Sequence, residues 1–229
     1  MQPLKITAVL QDGRIAGNES WFPLDSLLSS VWIRNNYPNL AYQHLANPAD
    51  IIVADLPFVK KGAGDNWYWS CSFNTTKPKG EYISYWHKRF DDHLEMYIDF
   101  NNRRGKIDVK SGKYKAYRMP LVIQLFDKLV WYAYGEKEQA YDMCCQITHI
   151  GKKTSQGFGA VDYWMVEEWY EDRSEKHDGK LTRAIPMEAG LPKGISKASL
   201  AHYGIRPPYW LTENSRICYM PEVANECFG

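Results

Sequence analysis

The 229-residue chain has no CxxC pair among its five cysteines and almost no net charge, +1 at neutral pH. It also lacks any apolar run approaching the roughly 20 residues that span a bilayer. The odd cysteine count argues against a disulfide framework. Without ligand-spaced pairs, Cys144 and Cys145, adjacent on an expected helix, read as reduced core thiols. The opening MQPLKITAVLQDGR is too short and too quickly polar for a secretory signal, so a soluble, cytoplasmic protein is expected. The low net charge excludes a general pull on polyanions, and a nucleic-acid surface would have to concentrate its cations locally. No HExxH, nucleophile elbow or Ser–His–Asp pattern is present. What the chain does have is 45% apolar residues and 14% aromatics, enough to build the core of one large domain.

Leu4–Leu10 alternates apolar and polar residues and reads as a strand. Leu24, Leu27, Leu28 and Val31 repeat with helical spacing after Pro23, and Pro38 ends that helix. Glycines and prolines over 47–80, around the aromatic run Trp67–Phe73, predict short strands and loops. Tyr82–Arg89 reads as extended. Met119–Phe126 and Lys128–Tyr134 read as core strands, Glu136–Ile147 as a helix with acids in its first turn, and Ala160–Trp169 as a further strand. The order fits an α+β, ferredoxin-like (RRM-like) βαββαβ domain over 1–169 with material inserted before its third strand. Past Trp169, Pro186, Pro192, Pro207, Pro208 and Pro221 predict a largely irregular C-terminal extension over 170–229, lying on the domain or on a neighbour.

Two segments carry the chemistry. Arg103–Arg118 holds seven basic residues (Arg103, Arg104, Lys106, Lys110, Lys113, Lys115 and Arg118) against the single acid Asp108. Its Lys110-Ser-Gly-Lys113 centre predicts a basic hairpin, with Tyr114 and Tyr117 placed to stack on bases held by the surrounding charge. Between the second helix and the last strand, Gly151, Gly157 and Gly159 are expected to free backbone amides where side chains would block them. Lys152 and Lys153 add charge, Thr154, Ser155 and Gln156 add polar contacts, and Phe158 lies between the last two glycines. That mixture suits phosphate or sugar recognition, and it equally suits a tight connection bearing surface lysines. A nucleotide-binding P-loop is excluded: the GxxxxGK[ST] spacing is absent, and the loop joins helix to strand rather than strand to helix.

A helix, a loop GKKTSQGFG and a strand at the end of such a domain resemble the glycine-rich loop of the repeat-associated mysterious proteins of CRISPR systems. With the N-terminal LKITAVL, the basic insert and the chain length, the sequence is similar to the subunit that binds the guide-RNA 5′ handle in type IV effector complexes. The resemblance is plain over 115–169, looser over 1–114, and does not extend past 170. It implies a non-catalytic subunit that caps the 5′ handle of the guide RNA with the loop Lys152–Gly159. An inserted thumb over about 87–118 would hook that handle. The same resemblance implies backbone-forming and large subunits as partners, with target DNA reached through the complex near its flanking motif. No cofactor, metal or membrane is called for.

Relatives in that superfamily cleave precursor RNA without metal, so a processing endoribonuclease is the alternative. A protein–protein module with a solvated basic face is the third reading. His149, two residues before Gly151, would lie near bound RNA, where hydrogen bonding or stacking is its expected role. His87 and His93 have metal-like spacing but no third ligand in register. Trp67, Tyr68, Trp69, Phe73, Tyr82, Tyr85 and Trp86 are the other candidates for base stacking.

Overall fold

The computed structural model describes residues 1–17, 21–39, 52–97 and 107–221. Its central sheet has the order β7-β1-β8, formed by β1 (Gln2–Leu10), β7 (Lys128–Gly135) and β8 (Val161–Glu168), all antiparallel. The alternation in β1 places Leu4, Ile6, Ala8 and Leu10 on one buried face. Leu129, Trp131 and Ala133 of β7 join them. Helices α1 (Leu24–Asn36) and α2 (Lys137–Cys144) cover this face through Leu24, Leu28, Val31, Ala140 and Cys144. Each large side chain buried there contributes about 1.5–3 kcal/mol. Pro23 caps α1 from outside rather than opening its first turn, and the helix ends before Pro38 as expected. Both faces of β7 are covered, since Val130 and Tyr132 are also buried and Tyr132 meets the rings of Trp169 and His177. Its outer edge is lined by irregular chain: the Ser72 amide donates to the Tyr132 carbonyl and that of Thr75 to Val130.

The connection to that edge contains β3 (Lys60–Lys61) and β4 (Tyr68–Trp69). Beyond it, β5 (Gly80–Lys88) and β6 (Tyr117–Leu125) form a nine-pair antiparallel hairpin from Gly80↔Leu125 to Lys88↔Tyr117. A short strand, β2 (Arg14–Ala16), pairs with the base of β6. Two expectations are corrected here. The basic hairpin is not centred on Lys110–Lys113, because those residues lie inside the connection between its strands. The Asp108 carboxylate accepts from the Lys110 and Ser111 amides and the Ser111 hydroxyl, and a 3-10 turn at Gly112–Tyr114 follows. Local side-chain capture of those amides wins over a ladder. Nor is all of Met119–Phe126 a core strand: Ile123 and Gln124 are buried, while Arg118, Met119 and Pro120 project into solvent.

The segment past 170 is also not irregular. It forms a hairpin of β9 (Lys176–His177) and β10 (Lys180–Leu181), and a sheet of order β11-β13-β12. These last strands are β11 (Ile185–Pro186), β12 (Ser199–Gly204) and β13 (Ser215–Met220). Asp178 and Gly179, both with positive φ, make the two-residue turn that Asp-Gly favours between antiparallel strands. A second cluster, Leu181, Ala184, Ile185, Ile205, Cys218 and Met220, closes over Tyr68 and Phe73 from the first half of the chain. At its centre the fully buried Arg183 donates to the carbonyls of Trp69, Cys71 and Ile205 and sits over the Tyr68 ring. Beside it the Tyr209 hydroxyl donates to the buried Asp25 carboxylate at 2.7 and 2.8 Å. None of the helices among the described residues is long and apolar enough to cross a membrane.

Candidate nucleic-acid interface

The glycine loop hangs from β2 on two backbone bonds. The Lys152 amide donates to the Ala16 carbonyl at 2.9 Å, and the Gly159 amide to that of Arg14 at 2.7 Å. Because β2 also pairs with β6, a three-residue strand joins the loop to the hairpin base. The Ile150 amide donates to the Gly159 carbonyl and the Gly157 amide to that of Thr154, so the loop is closed on itself. The expectation that all three glycines free their amides for a ligand is therefore corrected. The amides of Gly157 and Gly159 are spent internally.

The glycines serve close approach instead. A Cβ on Gly159 would stand 1.8 Å from the Ile150 carbonyl oxygen, and one on Gly151 2.7 Å from Ile15 Cγ2. Only Gly157, with φ of 85°, faces open space. Thr154–Gln156 forms a 3-10 turn entered from Lys153, whose φ of 59° is left-handed. Lys152, Thr154, Ser155, Gln156 and Gly157 are exposed. The amides of Thr154 and Ser155 open that turn, where a helical backbone has no acceptors of its own. These, with the lysines and hydroxyls, are the groups the loop presents.

The hairpin brings aromatic surface to the loop. Lys153 Nζ lies 3.6 Å from the centroid of Trp86, which sits 5.1 Å from the ring of Tyr117. Lys88 Nζ lies 5.8 Å from the Tyr117 ring and donates to the Lys113 carbonyl at 2.8 Å. On the opposite face of the hairpin the Arg118 guanidinium covers Tyr85 at 3.6 Å. Tyr114 packs edge-on against Phe90, and Lys110, Lys113 and Lys115 are exposed around it. Arg14, between loop and hairpin, lies 5.5 Å from the Phe158 ring and pairs with Asp12. Slight burial works against the Asp12 carboxylate, but the Arg14 amide and guanidinium outweigh it and hold the group below its usual range.

The structure thus joins Lys152–Gly159 to Tyr117 through Trp86, leaves Arg118 on the opposite face of the hairpin, and connects Lys110, Lys113, Tyr114 and Lys115 to the far end of the same hairpin. Arg103, Arg104 and Lys106 lie outside the described residues. His149 is half-buried at the loop's neck, bridged to Ala160 and bonded to the Thr148 hydroxyl. Tyr68, Trp69 and Phe73 are core residues, which removes them from the stacking candidates. Arg14 and Lys88 were missed. For Lys88 the available signal was strand alternation, which puts it on the face of Trp86. Among the described residues, no group of three His, Cys, Asp or Glu side chains could hold a metal ion.

A sequence model of the family described as CRISPR type IV associated protein Csf3 matches residues 2–221. The chain belongs to the Csf3 family. Membership makes it a type IV CRISPR-associated component and corrects the extent of the resemblance read from sequence. The Csf3 match runs on through β9–β13 to residue 221, so the resemblance does not stop at 170. Among curated proteins nothing matches the chain.

Proposed function

We propose that the protein is a non-catalytic RNA-binding subunit of a type IV effector complex that caps the 5′ handle of the guide RNA. The glycine loop holds the handle backbone, and the thumb, read over about 87–118, is carried by the hairpin of β5 and β6. The observation that carries this reading is Lys153 stacked on Trp86, which makes loop and hairpin one continuous basic and aromatic surface. Stacking platforms beside cations are how single-stranded nucleic acid is held. Support for a ferredoxin-like domain over 1–169 comes from the order β1, α1, edge segment, β7, α2, β8 with β1 central. In this reading the segment over 170–229 packs on that domain, and the backbone-forming and large subunits bring target DNA to the assembled complex.

The test is the double variant Lys152→Ala, Lys153→Ala against a handle-bearing guide RNA and an equal-length RNA with a scrambled 5′ end. Both lysines lie on a surface loop, and alanine is no more strained than lysine at the left-handed position 153. The melting temperature should therefore stay close to that of the parent. Affinity for the true handle should fall by roughly 1–3 kcal/mol, the range for two charged hydrogen bonds after solvent screening. Handle binding at parental strength by a normally melting variant would remove the loop from the RNA site. The same incubations should leave the RNA at full length; cleavage at one position, lost in His149→Ala, would favour the processing nuclease instead.

A further inference from the structure

Arg14 is an exposed arginine whose backbone and side chain are both fixed. It opens β2, pairs with Leu125 of β6, and its carbonyl accepts the Gly159 amide of the glycine loop at 2.7 Å. Asp12 fixes the side chain. Its Oδ2 accepts from Arg14 Nε at 2.9 Å and from Nη2 at 2.6 Å, while Oδ1 accepts from the Arg14 amide at 3.0 Å. The carboxylate thus takes the edge of the guanidinium that carries Nε. The second edge, formed by Nη1 and the remaining hydrogen of Nη2, meets no carboxylate or carbonyl among the described residues. Aromatic side chains gather beside it. The Phe158 ring lies 5.5 Å from the guanidinium. Asp12 foremost, and the Tyr82 hydroxyl after it, favour the charged form of Arg14, which puts the exposed Tyr82 at its side. Leu125 pairs in turn with Gly80, so Tyr82 and Trp86 project from the same face of the sheet as Arg14.

We infer that Arg14, positioned by Asp12, reads one nucleobase of the RNA held between the glycine loop and the hairpin. This rests on the proposed RNA-binding function and adds sequence discrimination to it. The open edge of the guanidinium offers two donors side by side and no acceptor. It therefore selects a base edge that carries two adjacent acceptors. Guanine has O6 and N7, and an unpaired cytosine has O2 and N3, whereas adenine and uracil set a donor beside each acceptor. The two bases share this chemistry, and the experiment separates them. A phosphate also presents paired oxygens, but the Asp12 carboxylate beside the fork repels an anion and leaves a neutral edge as the better fit. Tyr82 supplies a ring on which the selected base can stack. A lysine at position 14 would keep the charge without the planar fork.

The full-length protein is presented with a pool of single-stranded RNAs whose 5′ ends are randomised, and the bound molecules are sequenced. The parent should enrich guanine or cytosine at one position, and which of the two is enriched identifies the base. Arg14→Lys should melt like the parent, retain the preferences at other positions and lose that one. Asp12→Asn, which leaves Arg14 in place, should weaken selection at the same position alone. A second measurement needs only the parent. Replacing the selected base by 7-deazaguanine or 3-deazacytosine, each short of one acceptor, should weaken binding about tenfold or more. Enrichment of adenine or uracil there, a preference that survives Arg14→Lys, or a deaza base bound at full strength overturns the inference. So does an Arg14→Lys variant that binds every sequence more weakly by the same factor, which would make Arg14 a phosphate contact. A parent that selects no base, yet loses affinity in the glycine-loop double variant, overturns the inference and leaves the proposed function standing. A parent that binds no RNA overturns both.

Discussion

At Gly159 the space for a side chain is already occupied by the Ile150 carbonyl, whereas at Gly157 the same φ region looks onto solvent. One glycine is therefore required by packing and backbone, the other by backbone alone. Gly159→Ala should destabilise the protein by about 2 kcal/mol or more, since main chain must move. Gly157→Ala should cost about 1 kcal/mol, the strain of a left-handed alanine. Urea unfolding of the two variants measures the difference, and equal losses would mean that the loop yields at its neck. The sequence announced the glycines but not which of them was crowded. At Gly159 that depends on the loop folding back on Ile150, and at Gly151 on Ile15, more than a hundred residues away, reaching the loop through β2.

At the scale of elements, the basic hairpin was legible as composition and illegible as geometry. Its cations and tyrosines stand in the sequence for anyone to count, but the turn signal at Lys110–Lys113 is local, and Asp108 satisfies it without a ladder. The true arms are separated by the 28 residues between Lys88 and Tyr117 and are fixed by pairing, which no short window displays. The β9–β10 turn is the opposite case: Asp178-Gly179 was a readable hairpin signal, obscured by the surrounding prolines. The link between loop and hairpin can be measured directly. In a cycle of Lys153→Ala, Trp86→Ala and the double variant, unfolding free energies should show a coupling of about 0.5–1 kcal/mol, that of a solvent-accessible cation–π pair. Strict additivity would mean that loop and hairpin do not act as one surface.

For the whole molecule the deciding residue is Arg183, one cation buried among carbonyls of both halves. Nothing in Leu181-Thr-Arg183-Ala distinguishes it from a surface arginine, so this tie was invisible to pattern reading. Burial lifts the Asp25 carboxyl above its ordinary value, while the Arg183 charge and the Tyr209 hydroxyl pull it back. Replacing Arg183 by methionine removes that cation and leaves the buried carboxylate to neutral donors, the Tyr209 hydroxyl and the Ser26 amide. The expected loss is about 3 kcal/mol or more, since the buried carbonyls of Trp69, Cys71 and Ile205 lose their donor and the carboxylate loses a nearby cation. Its pH dependence has a definite sign. With the folded-state value raised further, the native protein retains a proton that the unfolded chain has released. Stability is then fully present below the ordinary carboxylate range and declines as pH rises towards the raised value. Unfolding of Arg183→Met at pH 5 and pH 8 should therefore show the larger deficit at pH 8. A deficit equal at both would separate Asp25 from the arginine.

The distance along the chain between Arg183 and its acceptors has a consequence for how the protein is made. The carbonyls of Trp69 and Cys71 leave the ribosome 114 and 112 residues before the guanidinium that satisfies them. Tyr68 and Phe73 likewise wait for Leu181, Ile185 and Met220 to cover them. The nascent chain can assemble β1, α1, β7, α2 and β8 around their own apolar face, but the seam between the halves stays open until Leu181, Ile185 and Met220 have emerged. Contacts this remote in sequence form last and slowly. The protein therefore closes in two stages, the central sheet first and the seam between the halves after it.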